Sequence, residues 1–415
     1  MMQRFPLTVL LTCLLFITSC ASTGPGAPVQ QGGNMTSGPQ GLATPGAYAE
    51  NGEAGAGPFA DGGIGYQDQN MSRTPPVKVA ILLPLSGPSE AIGQSLLKAS
   101  QLALFDLGAE TFQLLPKDTQ GTEAGAAMAA REAIGEGAQL ILGPLFSGSV
   151  KSVKPIARQA NLNVIGFSTD WSQAGGNVYL MGFMPFIQVT RMTDYAASQG
   201  YKRIALITKT DAYGSAVERT FMNAASQNGV QISKIIRLGA MGLSPTDLQN
   251  IRTSAPDAVF IALAGREASD ASQKLTQAGM GSLAIKHLGT GLWDDMELAR
   301  DPYMDGSWFA APAPIQRRAF ETNYEDLYGM QPPRLATLAY DATALAAVLG
   351  KMGKTGTNGI YSPAYDATHL RNPNGFAGID GVFRFNRNGL IERQLAVLEF
   401  QNGTIVEIEP AAMRF

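Results

Sequence analysis

The chain has two cysteines in 415 residues, Cys13 and Cys20, both near the start. The rest holds no thiol and can form no disulfide, so its stability must come from core packing. Histidine is equally scarce. His287 and His369 stand too far apart in sequence to form a metal-ligand motif, and each reads as a surface or hydrogen-bonded polar residue. Charged residues make up 16% of the chain, against roughly 25% in ordinary soluble chains. With a net charge of −3, there is no cationic footprint for nucleic acid. The sequence also lacks a G-x-S-x-G nucleophile elbow and a G-x-G-x-x-G dinucleotide loop. The stretch "GKMGKTG" misses phosphate-loop spacing because residue 348 is Val348. No metal site and no cofactor are expected.

Three short patterns, "SLLK" (Ser95–Lys98), "SQN" (Ser226–Asn228) and "KTG" (Lys354–Gly356), occur in the order used by penicillin-recognising serine enzymes. Their contexts are wrong for that chemistry. Ser95 lies inside a helical pattern, "SQNG" ends another, and "GKMGKTGTNG" is a glycine-rich loop where a strand is required. The chain is read as non-catalytic.

What is abundant is glycine, 47 residues, many in one N-terminal stretch. Ahead of it, Arg4 precedes an apolar run from Leu7 to Ile17, which has the length of a secretory h-region and is short for a membrane span. The run ends in "ITSC", which resembles a bacterial lipobox and implies a signal peptide over 1–19 and lipidation of Cys20. Ala21, not an aspartate, favours the inner leaflet of the outer membrane under that resemblance. Residues 21–74 are rich in Gly, Pro, Gln, Ala and Ser and have too little apolar surface to offset ordering entropy, so residues 20–74 read as a lipidated, disordered tether. The only membrane contact expected is through that lipid.

From Val77 onward, strand-like and helix-like stretches alternate: "VKVAILLPL", "FQLLPKD", "AQLILGPL", "LNVIGFS", "KRIALITKT", "VQISKIIRL", "DAVFIALAG" and "AIKHLGTGL" are separated by helical patterns such as Ala126–Ile134 and Ala216–Gln227. This predicts an α/β fold with parallel sheets and right-handed crossovers. A break near residues 177–185 divides the series into two doubly wound, Rossmann-like lobes with a central cleft. Residues 75–415 form this domain. Lobe 1 covers about 75–185 plus a later returning segment; lobe 2 covers about 186–310 plus the C-terminal strands, with residues 381–408 finishing the second lobe. The stripe Phe320, Tyr324, Leu327, Tyr328 has helical spacing and reads as core.

Ligands in open α/β sheets sit beyond the strand C-termini. The residues there are Ser86 to Ser89, Phe146-Ser147-Gly148-Ser149, Ser168-Thr169-Asp170, Asp211-Ala212-Tyr213-Gly214 and Trp293-Asp294-Asp295. Hydroxyls, helix N-termini and a few carboxylates suit a small polar or zwitterionic ligand. Ser86 and the helix start after Pro88 are expected to face the cleft and to hold a carboxylate or water. The same residue types are also those that cap helices.

The phrases "ILLPLSGP", "GPLFSGSV", "VIGFSTD", "DAYG", "FETNYEDLYGMQP", "AYDA" and "GVFRFNRNG" together resemble the type I periplasmic binding proteins of the leucine/isoleucine/valine-binding kind, over about residues 77–400. That resemblance implies that Ser147 or Ser149, and Ser168 with Thr169, hold a ligand's carboxylate and amine. It also implies an acid and an aromatic from the second lobe, for which Trp293 and Asp294 are the candidates beside Asp211 and Tyr213. More narrowly, "GPLFSGSVKSVKPIARQANLNVIGFSTD" and "IERQLAVLEF" look like the penicillin-binding protein activator lipoproteins. The first reading is therefore a periplasmic lipoprotein that regulates peptidoglycan synthesis by docking on a penicillin-binding protein. The alternative is a solute-binding receptor that delivers an amino acid or similar ligand to an ABC permease.

Overall fold

The computed structural model describes residues 76–415. The signal peptide, Cys20 and the tether expected from the sequence lie outside the described residues.

The first half of the described chain runs β1 (Val77–Leu83), α1 (Glu90–Asp106), β2 (Phe112–Asp118), α2 (Glu123–Gly135), β3 (Leu140–Leu142), α3 (Ser147–Gln159), β4 (Val164–Gly166) and β5 (Val178–Leu180). These strands make a parallel sheet in the order β2-β1-β3-β4-β5. Val79 to Leu83 in β1 are fully buried, the pattern of a strand covered on both faces. β2 carries Pro116, which is tolerated because this strand is the sheet edge.

The second series is α4 (Pro185–Ser198), β6 (Arg203–Lys209), α5 (Ala212–Gln227), β7 (Gln231–Leu238), α6 (Pro245–Thr253), β8 (Ala258–Ile261), α7 (Gly265–Gln277), β9 (Lys286–Thr290), α8 (Met296–Ala299) and β10 (Trp308–Ala311). Its sheet repeats the first order, β7-β6-β8-β9-β10, and then adds two antiparallel strands, β15 (Ala396–Gln401) and β16 (Thr404–Glu409). Two cores cover it. Val189, Met192, Val217 and Phe221 pack one face, and Ile251, Ala268, Leu275 and Trp293 the other. In each lobe the order 2-1-3-4-5 puts the topological switch between the first and third strands.

The chain crosses between lobes three times, at residues 181–184, 312–313 and 394–395. The second crossing leads into α9 (Pro314–Tyr328) and α10 (Ala336–Lys351), which return to lobe 1. There Tyr324 and Tyr328 donate to the carbonyls of Ser95 and Lys98 on α1. Phe320 and Tyr324 are core as expected, but Leu327 is 57% exposed because it lies on the outer face of the same helix.

Two small hairpin strands, β11 (Lys354–Thr355) and β12 (Tyr361–Ser362), and a short helix, α11 (Ala367–Leu370), precede β13 (Phe383–Phe385) and β14 (Ile391–Arg393). This last hairpin corrects the expectation that residues 381–408 all finish the second lobe. It sits on lobe 1, bridged through Leu180 and Leu390, because Phe383, Phe385 and Ile391 bury themselves in the first core. None of the described helices is long and apolar enough to cross a membrane.

Two internal contacts generate predictions. Gly93 in the first turn of α1 lies so close to β1 that an added Cβ would overlap the Pro84 carbonyl. Gly93→Ala should therefore destabilise the protein by about 1–3 kcal/mol, reversing the gain of about 1 kcal/mol that alanine ordinarily brings inside a helix; urea unfolding measures it.

His287 is fully buried between the Ser272 hydroxyl and the Met280 carbonyl, and burial pushes its pKa down to about 4. Between pH 6.5 and 4 the unfolded chain binds more protons than the folded one, so stability is lost as pH falls, by about 3 kcal/mol at the acid end. Buried Asp341, raised to about 6, acts with the opposite sign between pH 6 and about 4. The comparison of wild type with His287→Gln isolates the imidazole: relative to the variant, wild type should lose ground on acidification, and equal slopes would refute it.

Candidate functional site

The carboxyl ends of both sheets carry the loops from which a site can be built. In lobe 1, Ser147 opens α3 immediately after β3. It is half-buried, and its hydroxyl has no hydrogen-bond partner within the described chain. The residue before it, Phe146, has no side-chain acceptor to cap the helix, so the first amides of α3 are left for another acceptor. Thr169, beyond the adjacent strand β4, is exposed, and its hydroxyl is also unpartnered. α1 likewise begins without a side-chain cap. Glu123, an exposed acid, lies against Gly148 from the α2 side.

The other expected lobe-1 residues are engaged by the chain itself. Ser86 donates to Asp118 at 2.6 Å, and Asp118 also accepts from the amides of Leu85 and Gln120. Burial opposes ionisation of Asp118, but these donors hold its pKa below the usual carboxylate range. Ser86 is thus a brace between the β1 and β2 loops, contrary to the expectation that it holds a ligand carboxylate. Ser149 is buried and donates to the Thr122 carbonyl, tying α3 to α2. Ser168 is buried and accepts from the Asp170 amide, closing a local turn. Ser149 has thus spent its proton within the chain, whereas Ser168, which only accepts, keeps its O–H as a donor.

On lobe 2, Asp211 caps α5 by accepting from the Gly214 amide at 2.7 Å, the capping role that such a residue can also play. Tyr213 meets the buried Thr290 hydroxyl at 3.0 Å, and burial raises its phenol to about 12, so it stays a neutral donor or acceptor. Beyond the ends of β6, β7 and β8 lies a cavity of about 420 Å³, walled by the loop after β7 (Leu238 to Leu243) and by α7, with Asp211, Leu263 and the Lys209–Glu267 ion pair in its lining.

Trp293 and Asp294 depart most from expectation. Trp293 is fully buried, stacked on Phe400 and packed on Phe309, with its indole N–H given to the Leu263 carbonyl. It is a core residue and offers nothing to a ligand. Asp294, its side chain 3% exposed, is turned to the crossings, where it pairs with the two terminal guanidinium nitrogens of Arg317 and stands 3.4 Å from Arg334.

The sequence reading missed the rest of this network. Arg334 forks onto Asp380 at 2.8 Å and lies over the Phe183 ring, which belongs to the first crossing. Asp380 also accepts from Thr337 at 2.6 Å, and Arg393 approaches Asp341 at 3.5 Å. Burial works against the charge on Asp380, yet Arg334 and Arg393 hold its pKa low. In a chain so poor in charge, arginines at 317, 334 and 393 flanking two of the crossings were the available signal.

The penicillin-enzyme patterns stay apart. The Ser95 hydroxyl donates back to Ala91 within α1 and Ser226 ends α5 in the other lobe; Lys354, expected in a loop, instead forms the two-residue strand β11 because it pairs with Ser362 across the hairpin. Among the described residues, no cluster of three or more His, Cys, Asp or Glu side chains is placed to hold a metal.

Known proteins resemble this arrangement. No curated protein sequence matches the chain. Among solved structures, a branched-chain amino acid ABC transporter protein from Rhodospirillum rubrum aligns with a TM-score of 0.71 at 19% identity, covering 80% of this chain and 100% of that one. The leucine-binding protein LivK of Thermotoga maritima aligns at 0.55 with 24% identity, covering 80% and 97%. A solute-binding protein of an ABC transporter from R. palustris, in complex with benzoate, aligns at 0.57 with 20% identity, covering 81% and 97%. At these identities the likeness is one of fold, the two-lobed architecture of type I periplasmic binding proteins. The family model described as "Periplasmic binding protein" matches residues 76–404, and the chain belongs to that family.

Proposed function

We propose that the chain is the solute-binding receptor of an ABC permease and that its cleft takes a small organic acid. The observation that carries this reading is the pair of unpartnered hydroxyls, Ser147 and Thr169, at the ends of adjacent strands beside the uncapped start of α3. Hydroxyl and amide donors converging on a helix N-terminus suit a carboxylate. The named roles of the structural relatives, in branched-chain amino acid transport, leucine binding and benzoate binding, support it.

The amine half of an amino-acid clamp has less support, since Asp294 is already neutralised by Arg317 and Arg334. The ligand class is therefore set by its acid group, with no requirement for an ammonium. No observation favours the first sequence reading, a regulator docking on a penicillin-binding protein, and it is not carried further. Lipidation of Cys20 remains part of the proposal, with attachment at the inner leaflet of the outer membrane; it rests on the "ITSC" motif.

Thermal unfolding with sodium benzoate, 4-methylpentanoate and leucine tests the receptor. A ligand at 100-fold its Kd should stabilise the fold by about 2.7 kcal/mol. The Ser147→Ala/Thr169→Ala double variant should lose that stabilisation while keeping its ligand-free Tm. No response to any acid, or an undiminished response in the double variant, would count against the reading. Separately, Cys20→Ser should move the protein from the membrane to the soluble fraction on cell fractionation.

A further inference from the structure

The chain has three tryptophans, and two of them are spent internally. Trp293 is core and gives its indole N–H to Leu263. Trp308 packs edge-on against Tyr195 and Tyr201 and gives its N–H to Glu399 at 3.0 Å. Trp171 does neither. It is half-buried, and its N–H has no hydrogen-bond partner within the described chain.

The short connection from β4 to β5 sets its place. Thr169 stands two residues earlier, and Asp170 between them caps a 3₁₀ turn over Trp171–Gln173 by accepting from the Ser172 amide at 3.1 Å. The turn is thereby fixed directly behind the hydroxyl loop. The indole stands edge-on to Phe186, with 6.4 Å between ring centres, and Phe186 lies in the first turn of α4, just past the first crossing. Trp171 thus reaches from the carboxyl edge of lobe 1 to the beginning of lobe 2. On the other side of the hydroxyl pair, Phe146 is exposed, with its ring against Gly121 of the loop after β2. Along the order β2-β1-β3-β4-β5, Ser147 and Thr169 therefore lie between two accessible aromatic side chains.

Hydroxyls and helix amides account for the acid group of a ligand; aromatic surface left open beside them gains only when something apolar covers it. Two residues of chain span at most about 7 Å, so the indole is close to any body attached to a carboxylate at Thr169. An aliphatic body would gain from the area it covers. An aromatic one gains in addition from the offset or edge-to-face geometry that indole and phenyl rings offer it.

Resting on the receptor reading, we infer that Trp171 selects the body of the ligand, and that the cleft prefers an aromatic acid to an aliphatic acid of the same size.

Benzoate and cyclohexanecarboxylate differ only in the aromaticity of the ring and make the matched pair for calorimetric titration of the full chain. Benzoate should bind more tightly. Trp171→Leu should shrink that advantage about fivefold, Trp171→Phe should keep most of it, and Ser147→Ala/Thr169→Ala should weaken both acids alike. Tryptophan emission reads the contact without disturbing the fold: benzoate should change it in wild type and leave it unchanged in Trp171→Phe. Equal or reversed affinity of the two acids for wild type, an advantage that survives Trp171→Leu, or the same emission change in wild type and Trp171→Phe would overturn the inference and leave the receptor reading intact. So would binding of 4-methylpentanoate or leucine with no response to either ring acid. No binding of any acid would remove both.

Discussion

The lobes hold their places through charges that are out of water where the chain crosses. Asp294 on lobe 2 meets Arg317 at the head of α9 and Arg334 ahead of α10, and Arg334 meets Asp380. Removing one member of such a buried set typically costs about 3–5 kcal/mol, because the partner is left uncompensated. Four carboxylates, counting Glu321 and Asp341, share three arginines here. The weakest pairing, Asp341 with Arg393 at 3.5 Å, belongs to the acid whose pKa is pushed up to about 6 by burial. The network thus ties the second and third crossings together, and Phe183 of the first lies beneath Arg334 and Arg393.

That constraint decides what the cleft can offer. An acid on the loop after β9 would be free to meet a ligand if nothing else claimed it. Arg317 and Arg334 claim it, which leaves the second lobe with Tyr213, Thr290, the α5 capping turn and the Lys209–Glu267 pair at this edge. The balance of unspent groups then tips toward lobe 1, where hydroxyls and helix amides are donors. On the proposed receptor reading, the acid end of the ligand is read first. Selectivity among acids then falls to the side chains that meet its body.

Much of the architecture was legible in the sequence because alternation and turn chemistry are local. Runs such as "VKVAILLPL" and "DAVFIALAG" announce strands buried on both faces, and the loops after them were placed correctly at the carboxyl edges. The site was only half legible. Serine, threonine and aspartate at those loops serve equally as caps, braces and ligand donors, and sequence carries no record of which partner each one finds. Ser86 went to Asp118, Ser149 to Thr122 and Asp211 to Gly214, whereas Ser147 and Thr169 went to nothing. Trp293 was misread for a related reason. A 3₁₀ turn over Gly291–Trp293 swings the indole back over Gly289, whose missing Cβ leaves it room, so a residue three positions past a strand end faces inward. The 383–393 hairpin was assigned to the wrong lobe because its attachment depends on contacts with β5, some two hundred residues earlier.

The two edges of the first sheet also differ in the kind of polar group left over, and topology explains why. At the carboxyl edge every crossover helix begins, so spare groups are amide N–H and the hydroxyls of would-be caps, and the local potential favours negative charge. At the amino edge the helices end, and the chain must turn into a strand within a few residues. Asn163 and Asn177 tie these turns to other segments, donating to the carbonyls of Tyr365 and of Leu162, and each bond consumes one end of the amide and orients the other. A row of half-used amides is therefore a by-product of docking three neighbouring strand entries, two of them after helices and one after a 3₁₀ turn. The one at Asn177 carries an acceptor that is buried without a partner, and a buried acceptor stripped of water is a standing cost of closing that turn.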